Sequence, residues 1–266
     1  MTSTATSSAA GAPQGGDVVI ALRGVSIGYG SRAIVEAIDL DVRRSEILFI
    51  GGGSGCGKTT LLASMNTLRP PLAGSITIDG IEIAGAGEDT LQQVRRRFGM
   101  MYQLGALFGG MTLLENVRLP LEEFTRMPRA AMDDLARAKL GLVGLAAHAD
   151  KKPAEISGGM QKRAAIARAL ALDPPIIFLD EPSAGLDPVT SADLDALIVA
   201  LNRMLGATFV VISHELASIF AIGHRFAMLD GARRRLVALG SPAELRDHSD
   251  DPWVRRFLSR TASGEG

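Results

Sequence analysis

The sequence predicts an α/β protein whose core is a mostly parallel sheet covered on both faces. Three observations carry this. The runs 46–50, 176–179 and 208–212 are almost wholly apolar, the pattern of strands buried on both sides. Helix-forming stretches separate these runs along the chain. The first run also opens directly into a glycine-rich loop and then a helix, the local order of a phosphate-binding unit.

Residues 1–16 are mostly Ala, Thr, Ser and Gly, with too little to bury to offset their ordering entropy, and they read as a disordered tail. They lack the basic start and continuous apolar centre of a secretory signal. Residues 18–22 are a short apolar run, and Ile38, Leu40 and Val42 alternate with Asp39, Asp41 and Arg43 at the period of a strand. After the strand at 46–50 a helix is expected over 57–68, closed by Arg69-Pro70-Pro71. Residues 75–79 alternate again and end in a turn at Gly80.

Between 89 and 155 strand signals are weak, and the segment reads as a helical insertion. Thr112 and Glu115 fit a capping box there, and 130–142 is amphipathic. Ser157 is placed to cap a helix over 158–172. Pro188 takes a first-turn position in the helix joining the two last apolar strands. Ser241 and Glu244 fit a second capping box, opening a short helix, and no internal repeat is visible.

The 266 residues carry 28 Lys and Arg against 29 Asp and Glu, a balance that argues against a nucleic-acid partner. No apolar run approaches the ~18–20 residues that cross a bilayer. Cys56 is the only cysteine, which excludes a disulfide within the chain and fits a reducing compartment.

The strongest chemical signal is Gly52-Gly53-Ser54-Gly55-Cys56-Gly57-Lys58-Thr59, which matches G-x-x-x-x-G-K-[ST]. Glycines let backbone N–H groups turn inward around phosphate oxygens, and the helix N-terminus adds its positive end. Lys58 would neutralise the β- and γ-phosphates and Thr59 would ligate Mg²⁺. Cys56 fills a wildcard position and reads as an ordinary loop residue, the alternative being a thiol whose pKa is lowered by the helix N-terminus. The second signal is the apolar strand 176–179 running into Asp180 and Glu181. A hard cation wants oxygen ligands at a strand's C-terminal end, so Asp180 is the candidate for Mg²⁺, through water. Glu181 is the candidate to polarise a water for attack on the γ-phosphate.

Ile156-Ser157-Gly158-Gly159-Met160, upstream of that strand, resembles the signature motif of ABC transporter ATPases. Tyr29-Gly30 resembles the family's A-loop, Gln103 its Q-loop glutamine, Ala184-Gly185-Leu186-Asp187 its D-loop and His214 its switch histidine. The resemblance implies a P-loop NTPase cassette with N-terminal antiparallel strands and a helical subdomain. The cassette would span 17–246, with the subdomain at roughly 89–160 and an interaction tail at 247–266. It implies that Tyr29 stacks on adenine, that Thr60 joins the nucleotide contacts, and that Gln103 senses Mg²⁺ and the attacking water. His214 would contact the γ-phosphate. Two such subunits would close head to tail over two ATP molecules, with Ser157, Gly158 and Gly159 of one completing the Lys58 site of the other. Met160 departs from the Gln common in the family. His214-Glu215 is no zinc-protease start, since Ser218 stands where a second His would be, and His148, His224 and His248 read as structural.

The segment from Gln103 to Phe108, the Gly-Gly-Met ending of the signature, and the tail from Asp251 to Leu258 are together similar to Mla/Mce-type ATPase subunits. That resemblance implies ATP-driven transport of phospholipids or other lipids between membranes of the bacterial envelope. The implied partners are a transmembrane permease, a lipid-binding Mce-domain protein and a small regulatory subunit. The chain would sit on the cytoplasmic side of the inner membrane, held there by the permease. Residues 104–124, apolar with few charges, would form the permease surface. Two readings stand beside this one: an importer ATPase for a small solute, and a soluble ABC ATPase with no permease. In the tail, Trp253 and Phe257 share a helical face that would dock on its own domain, on the second ATPase subunit or on the membrane surface.

Overall fold

Side-chain alternation decides what the central strands pack against. Ile47, Phe49, Ile177, Leu179, Phe209 and Val211 turn to one face of the sheet, and Leu48, Ile50, Ile176, Phe178, Val210 and Ile212 to the other. Both sets are apolar, so both faces must be covered, as the sequence predicts. The computed structural model describes residues 17–103 and 105–260. The tail expected at 1–16 lies outside the described residues.

Strands β1 (Val18–Tyr29) and β2 (Arg32–Arg43) form an antiparallel hairpin, extended by β4 (Ala73–Ile78) and β5 (Ile81–Glu82) in the order β2-β1-β4-β5. The core sheet runs β10 (Arg235–Gly240), β9 (Arg225–Asp230), β3 (Ile47–Gly52), β8 (Thr208–Ile212), β7 (Ile176–Asp180), β6 (Phe98–Met101). All its pairings are parallel except that of β10 with β9. The antiparallel sheet and α1 (Lys58–Met65) cover one face. The other is covered by α3 (Leu113–Phe124), α4 (Arg129–Leu142), α5 (Gly158–Ala169), α6 (Pro188–Leu205), α7 (Leu216–Ile222) and α9 (Pro252–Ser259). Helix α2 (Glu88–Arg95) precedes β6, and α8 (Pro242–His248) precedes α9. Phe49, Phe178, Phe209 and Phe226 are fully buried, each contributing about 1.5–3 kcal/mol.

Local signals hold where they are strong. Thr112 and Glu115 form both bonds of a capping box, and Ser157 accepts the Met160 N–H at 3.3 Å. At the second predicted box only the N-cap half forms, Ser241 accepting from the Glu244 N–H at 3.4 Å. Helix α1 stops at Met65, short of residue 68, because Thr67 takes φ +66°.

One correction concerns the segment 89–155. It is not helical throughout: β6 passes through it and joins the core sheet beside β7. Phe98-Gly99-Met100-Met101 has weak strand propensity and is fixed by its neighbours. A Cβ on Gly99 would stand 1.9 Å from the Ala169 carbonyl, so glycine here lets α5 lie directly on the strand. Strands β9 and β10 and helix α7 were also unassigned from sequence. Among the described residues no helix is long and apolar enough to cross a membrane.

Candidate active site

Parallel strands bring their C-terminal ends to one edge, and that edge collects most of the residues singled out from sequence. β3 ends at Gly52 where the glycine-rich loop begins, and β7 ends at Asp180. β8 ends two residues before His214, and β6 two residues before Gln103.

The loop 52–57 is shaped by its glycines. Gly52 (φ +141°), Gly55 (φ +73°) and Gly57 (φ +101°) take conformations that favour glycine. A Cβ on Gly52 would lie 2.2 Å from the Leu229 carbonyl, and one on Gly57 would lie 2.9 Å from Val35. Gly57 is the N-cap of α1, so the N–H groups of the first turn point out of the helix end toward the loop's concavity. Ser54, Gly55 and Thr59 are exposed. Lys58 curls back, its Nζ donating to the carbonyls of Gly52 (3.0 Å) and Gly53 (3.1 Å). That keeps an ammonium at the loop beside the N–H groups of a helix start, a combination that suits an anion and forms a candidate cradle.

Tyr29 lies at the rim, 57% exposed, its hydroxyl 3.3 Å from the Thr60 hydroxyl. Thr60 is buried, so its side chain faces Tyr29 and not the cradle. Tyr29, Ile34, Gly55 and Arg234 border an open cavity of about 470 Å³ beside the loop. Its size and aromatic wall suit a nucleobase. Arg69 sits over one face of the Tyr29 ring, 4.5 Å from the centroid.

Cys56 follows the ordinary reading, not the alternative of a lowered pKa. It is buried, and desolvation raises the thiol above its ordinary value despite the nearby Lys58 charge.

Register explains the cluster of Asp180, Glu181 and His214. Asp180 pairs with Ile212 across β7 and β8, and the Glu181 N–H donates to the Ile212 carbonyl at 2.9 Å. The chain leaving β8 therefore carries His214 beside Glu181, Nδ1 to Oε1 2.9 Å. Glu181 is buried and takes φ +48°, a left-handed backbone that a non-glycine residue holds only when its surroundings impose it. Asp180 is buried, and burial together with the Glu181 charge raises its pKa, opposed by Lys58 and Lys162. A buried, proton-seeking carboxylate beside an anion cradle fits a divalent cation as its partner.

At the signature, Ser157 and Gly158 are exposed at the start of α5, while Gly159 is buried. A Cβ on Gly159 would lie 2.5 Å from Thr190 Cγ2. Thr190 cannot easily turn away, because Asp187 caps α6 through the Thr190 N–H (3.0 Å) and accepts from its hydroxyl (2.6 Å). Met160 packs its side chain against the core, where an apolar residue is at home.

A comparison with known families decides what these parts belong to. The family profile described as "ABC transporter" matches residues 35–184, more than half of the chain. The chain is an ABC transporter ATP-binding protein. It is an ATPase of the P-loop class, and it binds ATP. It is 41% identical to the Escherichia coli intermembrane phospholipid transport system ATP-binding protein MlaF, over 92% of this chain and 90% of that one. It is 42% identical to the probable ribonucleotide transport ATP-binding protein mkl of Mycobacterium leprae, over 91% of this chain and 69% of that one. Among solved structures it is similar to the dimeric ATP-binding cassette MJ0796 in a post-hydrolysis state bound to ADP and Pi. That match has a TM-score of 0.75 and 32% identity, covering 84% of this chain and 98% of that one.

The surface expected at 104–124 divides in the cassette. Leu113, Val117 and Leu121 are buried in the chain's own core. What remains open is a groove of about 510 Å³ bordered by Tyr102, Ala106, Phe108, Pro120, Phe124 and Arg168, with Phe108 52% exposed. Asn116 fixes its wall, taking the Phe108 N–H at 2.7 Å and donating to the Phe108 carbonyl at 3.1 Å. The tail helix α9 packs on its own domain, with Val254 and Leu258 buried and Phe257 stacked on Phe226. His224 is structural, its Nδ1 accepting from the Ile47 N–H at 3.1 Å.

Sequence reasoning missed Lys162 and Arg168 on α5. Lys162 donates to the Gln103 carbonyl, and Arg168 donates to the carbonyls of Gly105 (2.9 Å) and Ala106 (2.7 Å). The available signal was three cations, Lys162, Arg163 and Arg168, in a helix otherwise rich in alanine, beside the signature.

Proposed function

We propose that the cassette is the ATP-hydrolysing subunit of a transporter that moves phospholipids or related lipids between membranes of the bacterial envelope. The observation that carries the lipid reading is the similarity to MlaF over nearly the whole of both chains.

In this reading the loop from Gly52 to Thr59, with Lys58, holds the β- and γ-phosphates, and Thr60 adds its backbone N–H. Tyr29 stacks on the base. Glu181 takes the proton of the attacking water, and His214, hydrogen-bonded to it, orients that carboxylate and faces the γ-phosphate. Thr59 and Gln103, with Asp180 through water, would hold Mg²⁺, which when bound would supply charge neutralisation for the phosphates. Ser157, Gly158 and Gly159 present a hydroxyl and free N–H groups at the start of α5, an anion site that lacks a lysine. It completes the site of a second copy, so two subunits close head to tail over two ATP molecules. That the MJ0796 cassette is dimeric supports the pairing of two subunits.

The groove beside Phe108 receives a permease segment, which keeps the subunit on the cytoplasmic face of the inner membrane. The chain divides into the cassette at 17–246, its largely helical insert at roughly 89–160, and the segment from 247 onward. An Mce-domain lipid carrier and a small regulatory subunit are the further partners in this reading.

A second reading, an importer ATPase for a small solute, is favoured by two other similarities. One is to mkl. The other is to the methionine import ATP-binding protein MetN of Caulobacter vibrioides, at 39% identity. The test is to isolate the complex from membranes and identify its subunits and bound lipids by mass spectrometry. A permease carrying phospholipid supports the lipid reading. A solute-binding protein, with hydrolysis stimulated by its solute, overturns it.

A further inference from the structure

The signature helix and the segment after β6 are tied together in a way the hydrolysis reading does not use. Lys162 lies in the second turn of α5 and is only 8% exposed. A buried ammonium needs acceptors, and Lys162 donates to the main-chain carbonyl of Gln103. Burial lowers its pKa, while the charges of Asp180 and Glu181 act to keep it protonated. Further along the same helix, Arg168 takes the Gly105 and Ala106 carbonyls. Between these contacts the chain turns sharply. Gly105 (φ +74°) and Ala106 (φ +49°) are left-handed, and the Gly105 N–H donates back to the Tyr102 carbonyl at 2.6 Å. Arg168 also borders the apolar groove, so one helix holds this segment at Gln103 and again at Gly105 and Ala106.

We infer that Lys162 is a positioning residue, a tether from the signature helix to the Gln103 backbone that sets Gln103 relative to Asp180 and Glu181. The inference rests on the proposed role of Gln103 and names what holds that residue in place. Lys162 touches no nucleotide in this reading. It acts through the carbonyl it holds, so its loss loosens Gln103 without removing a phosphate contact.

The test compares Lys162→Met, which keeps the buried stem, with Lys162→Arg, which keeps the charge and the donor. Both are made in the full-length chain. Amide hydrogen exchange reads the tether directly. In Lys162→Met the Gly105 amide is expected to exchange about fivefold faster or more, with 176–181 unchanged. MgATP hydrolysis is expected to lose about tenfold or more in kcat while KM stays within about twofold. Lys162→Arg is expected to recover both readouts. Unchanged exchange at Gly105, a global rise in exchange, or an arginine variant no better than methionine overturns the tether. A Glu181→Gln variant that hydrolyses ATP normally overturns the catalytic reading instead, and leaves the exchange result to be judged alone.

Discussion

Gly159→Ala puts the packing of the signature helix to a test with a built-in control. The added Cβ would stand 2.5 Å from Thr190 Cγ2, where real Cβ contacts do not come below 3.0 Å. The methyl of Thr190 is held in place because its hydroxyl and N–H are both bonded to Asp187. So α5 and α6 must part by about half an ångström or more, or Thr190 must abandon its cap. Overpacking of this kind costs about 1–3 kcal/mol. At about 2–4 °C per kcal/mol for a domain of this size, the melting temperature should fall by about 2–12 °C. Displacing the start of α5 by that amount should also cut ATP turnover about tenfold. Thr190→Ser removes the offending methyl and keeps the hydroxyl, so the double variant should recover both melting and turnover. Thermal melting and a steady-state phosphate-release assay on the four proteins decide it. If Gly159→Ala melts like the parent, or the serine brings no recovery, the steric account of Gly159 is wrong.

Glu181→Gln should bind ATP normally yet lose about 10²–10⁴-fold in hydrolysis; undiminished turnover in the same assay would exclude it as the base. Lys58→Ala should weaken nucleotide affinity, measured by calorimetry, and an unchanged Kd would remove Lys58 from the phosphate cradle. Phe108→Asp places a charge in the apolar groove and should release the subunit into the soluble fraction when co-expressed with its permease; full retention at the membrane would move the docking site elsewhere. Burial and the Arg203 charge hold His224 below its ordinary pKa of 6.5, with the folded state favouring the neutral ring. Its contribution is therefore intact above that value and is lost as pH falls through it, levelling off below the folded pKa. His224→Asn should flatten that part of a stability-against-pH curve, and a curve identical to the parent's would rule His224 out as its source.

How much was legible from sequence depended on how local each signal is. The glycine loop is written in eight consecutive residues, and the caps at Thr112 and Ser157 in four. Fully apolar strands such as β7 and β8 announce themselves because both faces are buried. Strand β6 does not, because glycine and methionine carry little strand preference and its geometry is imposed by β7 and α5. Glu181 was legible from its strand and His214 from the family resemblance, but their contact was not, because it depends on a register between residues 33 apart. Lys162 was illegible for the same reason, since its acceptor lies 59 residues away.

Sheet order also divides the site mechanically. The glycine loop grows from β3, which is laced to β8 on one side and β9 on the other. Gln103 hangs from β6, a four-residue rim strand laced to β7 alone and pressed from above by α5. Displacing the loop would mean shearing the middle of the sheet, whereas displacing Gln103 strains one short ladder and the bonds that Lys162 and Arg168 make to its segment. The site thus has a fixed jaw and a compliant one. In the proposed reading, a push from a permease seated in the groove at Phe108 meets the more compliant side first and reaches Gln103 before the glycine loop.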